Sequence, residues 1–431
     1  MSFIALAPFV LLLAALLLGV PIAVSLAVAG MLGIYVVSGD IGRVMGIVSM
    51  TPFSSVADYS LSTIPMFILM AYLCAGGGLA RDLYAAAAAW LSQVRGGLAI
   101  ATVFACGIFG AMSGASTAAA SAMSQIAMPE MRRHGYSDPL AAGSIGVGAT
   151  LAILIPPSIA MVIYAVATQT SIGKLLIAGI IPGIIVGLLL ALTIYVWAVL
   201  RPQDAPSTPP VTSAERWAAT WRVWPSLMLI LVVIILLYSG AATPTEIGAI
   251  GAFMGAVIGF ATRRLTLAGA LQAVKDTLST SAMIFLILIG ATIFGYYMAL
   301  SRIPQHAVEA VAAMQLNRWV VIIAIVAAYF IISMFMDEIP LLLLTLQLAF
   351  PLVMSLGFDA IWFGVMSMLM VSLGLVFPPV GMIAFVVSAA GKVPLTSVYK
   401  GTSVLMIAIF ATIALLMVFP QIALWLPNTM K

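Results

Sequence analysis

The residues able to do chemistry in this chain are few, and they sit where apolar sequence breaks. The segment GAMSGASTAAASA, from Gly110 to Ala122, interrupts an apolar run with Ser113, Gly114, Ser116 and Thr117. Backbone that leaves helical geometry at membrane depth must have its polar groups satisfied by protein, by an ion or by a water-filled cavity. Carbonyls at the end of one half-helix suit a small hard cation, and N–H groups at the start of the next suit a carboxylate. A small-residue packing face is the plainer reading of the same letters. Adjacent prolines mark two more breaks, Pro156–Pro157 within IPPS (Ile155 to Ser158) and Pro378–Pro379 within FPPV (Phe377 to Val380). Proline has no N–H to donate and frees a carbonyl one turn earlier, so each doublet reads as an unwound stretch lining a site.

Asp337 and Glu338 are the costliest residues, since a carboxylate at membrane depth is unfavourable by at least about 2.5–3.5 kcal/mol. Two roles fit them: contact with a cation or substrate, or capping of the half-helix that begins at Ile339. Asp58 and Glu246 lie near segment ends and read as interfacial, and His134 reads as a solvated loop residue. His306 falls in SRIPQHAVEAVAAM, an amphipathic stretch expected to lie on the membrane surface. Cys74 and Cys106 sit inside apolar segments and read as inert buried thiols. The sequence has no G-x-x-x-x-G-K-[ST] loop and no zinc-protease motif. Within this polypeptide the remaining energy source is an ion gradient, which points to a secondary transporter subunit rather than an enzyme.

The elements that must hold these residues follow from composition. Of 431 residues 64% are apolar and 7% charged, where a soluble domain carries about 25% charged residues. Mean hydropathy is +1.23. The fold class is therefore all-α integral membrane. Ten crossings are expected, at 3–18, 21–38, 61–78, 139–170, 175–200, 223–239, 245–262, 277–300, 359–391 and 400–420. Residues 97–131 and 319–356 are apolar but broken in the middle, and read as re-entrant hairpins. Phe3 to Val37 lacks a basic leader and a cleavage site, so it reads as the first two membrane segments.

Charge placement supports that arrangement. Arg95 precedes the first hairpin, and Arg132, Arg133 and His134 follow it. By the positive-inside rule both flanks lie in the cytoplasm, together with Arg201, Arg216, Arg222, Arg263 and Arg264. The net charge of +4 is spread over short loops, which suits topology signals rather than a nucleic-acid surface. Residues 201–222 are rich in proline, serine and threonine and form a linker between residues 1–200 and 223–431. The two parts match at an offset of 222 residues, which carries the first double proline onto the second and Gly179 onto Gly401. It also carries Ser113–Ser116 onto Phe335–Glu338, one hairpin break onto the other. Five crossings and a hairpin per half imply two inverted-topology repeats, with a site near the midplane. Glycines at 179, 183 and 187, and at 251, 255 and 259, read as flat packing faces.

The run from Leu61 to Gly183 resembles the large membrane subunit of tripartite ATP-independent periplasmic (TRAP) transporters. The matching text is IPMF (Ile64 to Phe67), RGGLAIAT (Arg95 to Thr102), the SGAS break, MPEMRRHGY (Met128 to Tyr136), IPPS and AGIIPG (Ala178 to Gly183). FMD (Phe335 to Asp337), FPPVG (Phe377 to Gly381) and FPQIALWLP (Phe419 to Pro427) extend it to the C-terminal half. The resemblance implies an elevator-type, sodium-coupled importer of small organic acids, multi-pass in a bacterial inner membrane. It implies two protein partners, a small four-helix membrane subunit (Q type) and a periplasmic substrate-binding protein (P type), with lipid around them. No cofactor is implied, and no metal beyond the coupling Na+. Carried over residue by residue, a first sodium position falls on Ser113, Gly114, Ser116, Ala152, Ile155 and Pro157. A second falls on Ser333, Gly374, Phe377 and Val380, and the substrate position on Ser116, Thr117, Ser158 and Asp337. Ala152 and Ser333 stand where the family has glycine, and Phe377 where it has threonine. A stand-alone divalent-anion symporter of the related two-hairpin superfamily is the rival reading. A channel would show polar stripes along continuous helices, and a membrane enzyme clustered His, Asp or Cys; the sequence has neither.

Overall fold

Inside a bilayer the backbone of so apolar a chain must satisfy itself, in helices or in a closed barrel, and long unbroken apolar runs suit helices. The computed structural model describes residues 7–208 and 211–430, and among them every regular element is a helix. Residues 3–6 of the first expected crossing, residues 209–210 of the expected linker and residue 431 lie outside the described residues. Among the described residues seven helices are long and apolar enough to span a membrane. An eighth span is the pair Asp138–Leu154 and Ile159–Thr168, bent by 40° at its break.

Each expected crossing coincides with a helix or a broken helix pair, and the boundaries move for physical reasons. The helix Ser213–Ser239 begins inside the stretch read as linker, because Thr212 and Glu215 form a capping box that satisfies its first N–H groups. Leu267–Ser301 starts ten residues before the expected crossing at 277, capped by the Thr266 side chain. Three helices were not expected as elements: Ile41–Val56, Leu79–Leu91 and Gln421–Asn428. The first is capped by Asp40, whose carboxylate accepts from Gly42 N–H at 2.8 Å, and buries only Val44 and Thr51. Its mixed face gives no transmembrane signal. His134 is not fully solvated: its ring lies 2.9 Å from the Glu130 carbonyl and a quarter of the side chain is exposed.

Both hairpins are present. The first is Gly97–Ser113 followed by Ser116–Arg133, and the second Arg318–Ser333 followed by Glu338–Ser355. Their second arms are both 18 residues long and begin 222 residues apart. The helices starting at Ile22 and Pro244, and those starting at Asp138 and Ala360, keep the same spacing. Two structural repeats of inverted topology account for this register.

The arginine-bearing loops gather at one end of the bundle. Ser137 N–H donates to the Asp204 carbonyl (3.0 Å), Thr208 Oγ1 to the Ser92 carbonyl (2.6 Å) and Trp90 Nε1 to Thr220 Oγ1 (2.8 Å). Arg264 pairs with Asp82 at the same end. The 35-residue helix Leu267–Ser301 then carries the chain about 50 Å, at 1.5 Å per residue, to the opposite end. The glycine faces do pack. A methyl at Gly183 would lie 2.9 Å from Ile155, and one at Gly255 3.0 Å from the Cys74 sulfur.

Candidate functional site

The helix Gly97–Ser113 stops because Gly114 is left-handed (φ 61°), a conformation glycine adopts without the usual Cβ clash. Its N–H closes onto the Gly110 carbonyl at 2.7 Å, Ala115 is extended, and Ser116 opens the next helix. Glycine is needed here for approach as well. A Cβ at Gly114 would sit 3.1 Å from the Pro157 carbonyl oxygen, and one at Gly110 would sit 2.6 Å from Ala152. The facing strand of chain is the first double-proline break. Ile155 is extended, and the Ser158 hydroxyl accepts from Met161 N–H (3.4 Å) to cap the half-helix Ile159–Thr168. One backbone bond joins hairpin and break: Ile159 N–H donates to the Gly114 carbonyl at 3.3 Å. Ser113, whose hydroxyl donates to the Ala115 carbonyl at 3.4 Å, thus shares one buried locus with Gly114, Ala152, Pro157 and Ser158, and Ile155 flanks it. Among the described residues the carbonyls of Leu154, Ile155, Pro156 and Pro157 accept no hydrogen bond.

The second tip repeats the plan. Gly381 N–H donates to the Met334 carbonyl at 3.1 Å, and Gly381 lies 222 residues after Ile159. Ser333 lies directly against Gly374, so a Cβ at Gly374 would collide with it. The Ser333 hydroxyl donates to the Phe330 carbonyl (2.8 Å) and across to the Met370 carbonyl (3.3 Å). Phe377 stacks edge-on against Phe330, with centroids 5.1 Å apart. The Val380 carbonyl accepts from the Tyr399 hydroxyl at 2.7 Å. Ser333, Gly374, Phe377 and Val380 are therefore neighbours, and the Val380 oxygen already has a protein partner.

The two tips meet. The Ser116 hydroxyl donates to Glu338 Oε2 at 3.0 Å, and these two residues are themselves 222 apart. A contact between equivalent positions of two repeats places both beside the pseudo-two-fold axis, where a transporter of this plan holds its cargo. Asp337 takes the capping role: its carboxylate accepts from Glu338 N–H at 2.9 Å. Thr117 is half-buried in the turn after Ser116. The sequence points to Ser116 and, through the 222-residue register, sets Glu338 opposite it, but gives no sign that the two touch. Nor does it mark Ile159, Gly381 or Tyr399 as site residues. Of these only Tyr399 carries a side-chain signal, as a phenol two residues before Gly401 of the Gly179/Gly401 match.

Arg132 ties the first hairpin to the second repeat. Its guanidinium pairs with Asp138 (2.8 Å) and donates to the carbonyls of Gly391 (3.2 Å) and Lys392 (3.1 Å). Those carbonyls end the half-helix Met382–Gly391 beyond the second break, where a cation complements the helix dipole.

Residues 9–422 match the family model described as the DctM component of tripartite ATP-independent periplasmic transporters. The chain is 35% identical over 407 residues to the C4-dicarboxylate TRAP transporter large permease protein DctM of Pseudomonas aeruginosa, covering 94% of both. It is 32% identical to the ectoine TRAP transporter large permease protein TeaC of Halomonas elongata, covering 95% of this chain and 96% of that one. Identity is 30% to the sialic acid TRAP transporter large permease protein SiaM of Vibrio cholerae, over 86% of this chain and 87% of that one. Among solved structures, the YdaH transporter of Alcanivorax borkumensis shares the fold, with a TM-score of 0.64 at 14% identity over 90% of this chain and 89% of that one.

Proposed function

The chain belongs to the DctM family of TRAP transporter large permease subunits, and from that premise we propose that it carries out sodium-coupled import of a small organic acid. Family membership makes it a multi-pass inner-membrane transport protein and not an enzyme. The observation that carries the coupling is the buried first break. Among the described residues the four consecutive carbonyls from Leu154 to Pro157 have no hydrogen-bond partner, and that of Pro157 lies against a hairpin tip whose own geometry needs glycine. Such oxygens suit a small hard cation, and backbone ligation survives the alanine at 152. Sodium at Ser113, Gly114, Ser116, Ala152, Ile155 and Pro157 would draw the first tip onto the break. The organic acid would sit beside it at Ser116, Thr117 and Ser158, its carboxylate on the free N–H groups that open the helix Ser116–Arg133. Asp337 holds the second tip in shape through its cap.

The hairpins and the two broken crossings would then move together as the elevator against the remaining helices. A Q-type subunit would extend the static part, and a P-type binding protein would deliver cargo from the periplasm. The relatives named above carry differently named cargoes at 30–35% identity, so overall similarity does not choose among them. The test is reconstitution of this chain with both partners in vesicles, followed by an uptake screen of organic acids under a sodium gradient. Sodium-dependent uptake that requires the binding protein is expected. Robust uptake by the membrane subunits alone would favour the stand-alone symporter instead.

A further inference from the structure

Among the described residues Glu338 is the only charged side chain that is buried, at 5% exposure. Among the described residues no lysine, arginine or histidine pairs with it, and the four ion pairs there use Asp138, Glu130, Asp82 and Glu309. Its Oε2 accepts one hydrogen bond, from Ser116, and its Oε1 accepts none among the described residues. Capping does not explain it, since Asp337 already caps the helix that Glu338 begins. The dipole of that helix makes a carboxylate in its first turn tolerable. It gives no reason to aim the group across the seam at the opposite hairpin. An uncompensated carboxylate at membrane depth marks a place where a cationic group is received.

We propose that Glu338 determines cargo specificity by receiving a cationic group of the cargo, so that the substrate is a zwitterionic organic acid carrying an ammonium or amidinium group. This rests on the organic-acid reading of the same site. The substrate carboxylate takes the free N–H groups from Ser116 to Ala118, and its cation takes Glu338 Oε1. A plain dicarboxylate places its second charge against Glu338, and like-charge juxtaposition rejects it.

The test uses the purified membrane complex without the binding protein, so that only the site itself selects. Thermal stabilisation at fixed sodium is read for matched pairs in which an ammonium group replaces one carboxylate, β-alanine against succinate and 4-aminobutyrate against glutarate. The wild type should respond to the ammonium-bearing member at a concentration lower by about tenfold or more. Glu338→Gln should bring that ratio close to one while leaving sodium half-saturation unchanged. Equal response to both members, preference for the plain dicarboxylates, or no response to any pair overturns the proposal. A shift in sodium half-saturation with the cargo ratio intact would assign Glu338 to the ion and also overturn it. If Glu338→Gln fails to assemble, the wild-type ratio decides. Sodium-dependent uptake in the vesicle screen is scored separately, so the organic-acid reading can stand when this inference falls.

Discussion

In the first double-proline break the carbonyls of Leu154, Ile155, Pro156 and Pro157 accept no hydrogen bond from the described residues. In the second, the Val376 carbonyl accepts from Thr402 at 3.0 Å, and those of Pro379 and Val380 accept from Tyr399 at 3.1 and 2.7 Å. The 222-residue register puts Ile177 and Ile180 where the second repeat has Tyr399 and Thr402. Isoleucine offers no donor. Surroundings differ as well, for the first break is almost wholly buried and Pro379 in the second is exposed. One backbone plan is thus completed in two ways, by hydroxyl groups of a neighbouring helix in one repeat and by none of the described residues in the other. Buried carbonyls need partners, and this difference is the reason for assigning the coupling ion to the first break.

The largest expected effect separates the tips. Gly114→Val forces a β-branched residue to φ 61° against the Pro157 carbonyl, with backbone strain of about 1–3 kcal/mol before any steric term. Uptake by the reconstituted complex should fall by about a hundredfold or more, as expected when roughly 3 kcal/mol is lost at the site. Met336→Val, the equivalent change in the second tip, should leave uptake within about threefold on the same scale. Similar losses in both would mean that the tips are equivalent after all.

Next comes the bridge between them. Ser116→Ala removes the one hydrogen bond that the described residues give to a buried carboxylate, which should lower thermal stability or sodium affinity by about 1–3 kcal/mol. With Glu338→Ala as the second change, the double variant should lose less than the sum of the two singles, by about 1–2 kcal/mol of coupling. Strict additivity in thermal melts of the complex would dissolve the contact.

A smaller effect is expected at the second break. Tyr399→Phe leaves the Pro379 and Val380 carbonyls without their donor and should cost about 1–2 kcal/mol of stability. Sodium half-saturation should not move. A marked change would show that the second break binds the ion too. Smallest of all, Arg132→Gln removes a half-exposed ion pair and a helix-end contact, worth about 1 kcal/mol or less in a thermal melt.

Much of this arrangement is legible in the letters, and the exceptions share a cause. Apolar runs and their polar interruptions locate both hairpins and both broken crossings, because a bilayer leaves the backbone few alternatives. Residues 116 and 338 could be aligned from the repeat, but their contact depends on where the axis passes, and no local pattern encodes that. The partners of Tyr399 and Thr402 are not legible for a related reason: a hydroxyl in an apolar helix bonds either its own backbone or a neighbour's, and only packing decides. Ile41–Val56 and Leu79–Leu91 were missed because their charges and small residues dilute the hydropathy of a spanning helix.

On this assignment sodium at the first break drives uptake. In vesicles containing the complete complex, sodium is replaced by potassium or choline at constant ionic strength, with and without an imposed proton gradient. Uptake should collapse in both replacements whatever the proton gradient, and the sodium needed for half-maximal rate should rise in Ser116→Ala but not in Tyr399→Phe. Uptake that survives replacement, or that follows the proton gradient alone, would contradict the assignment.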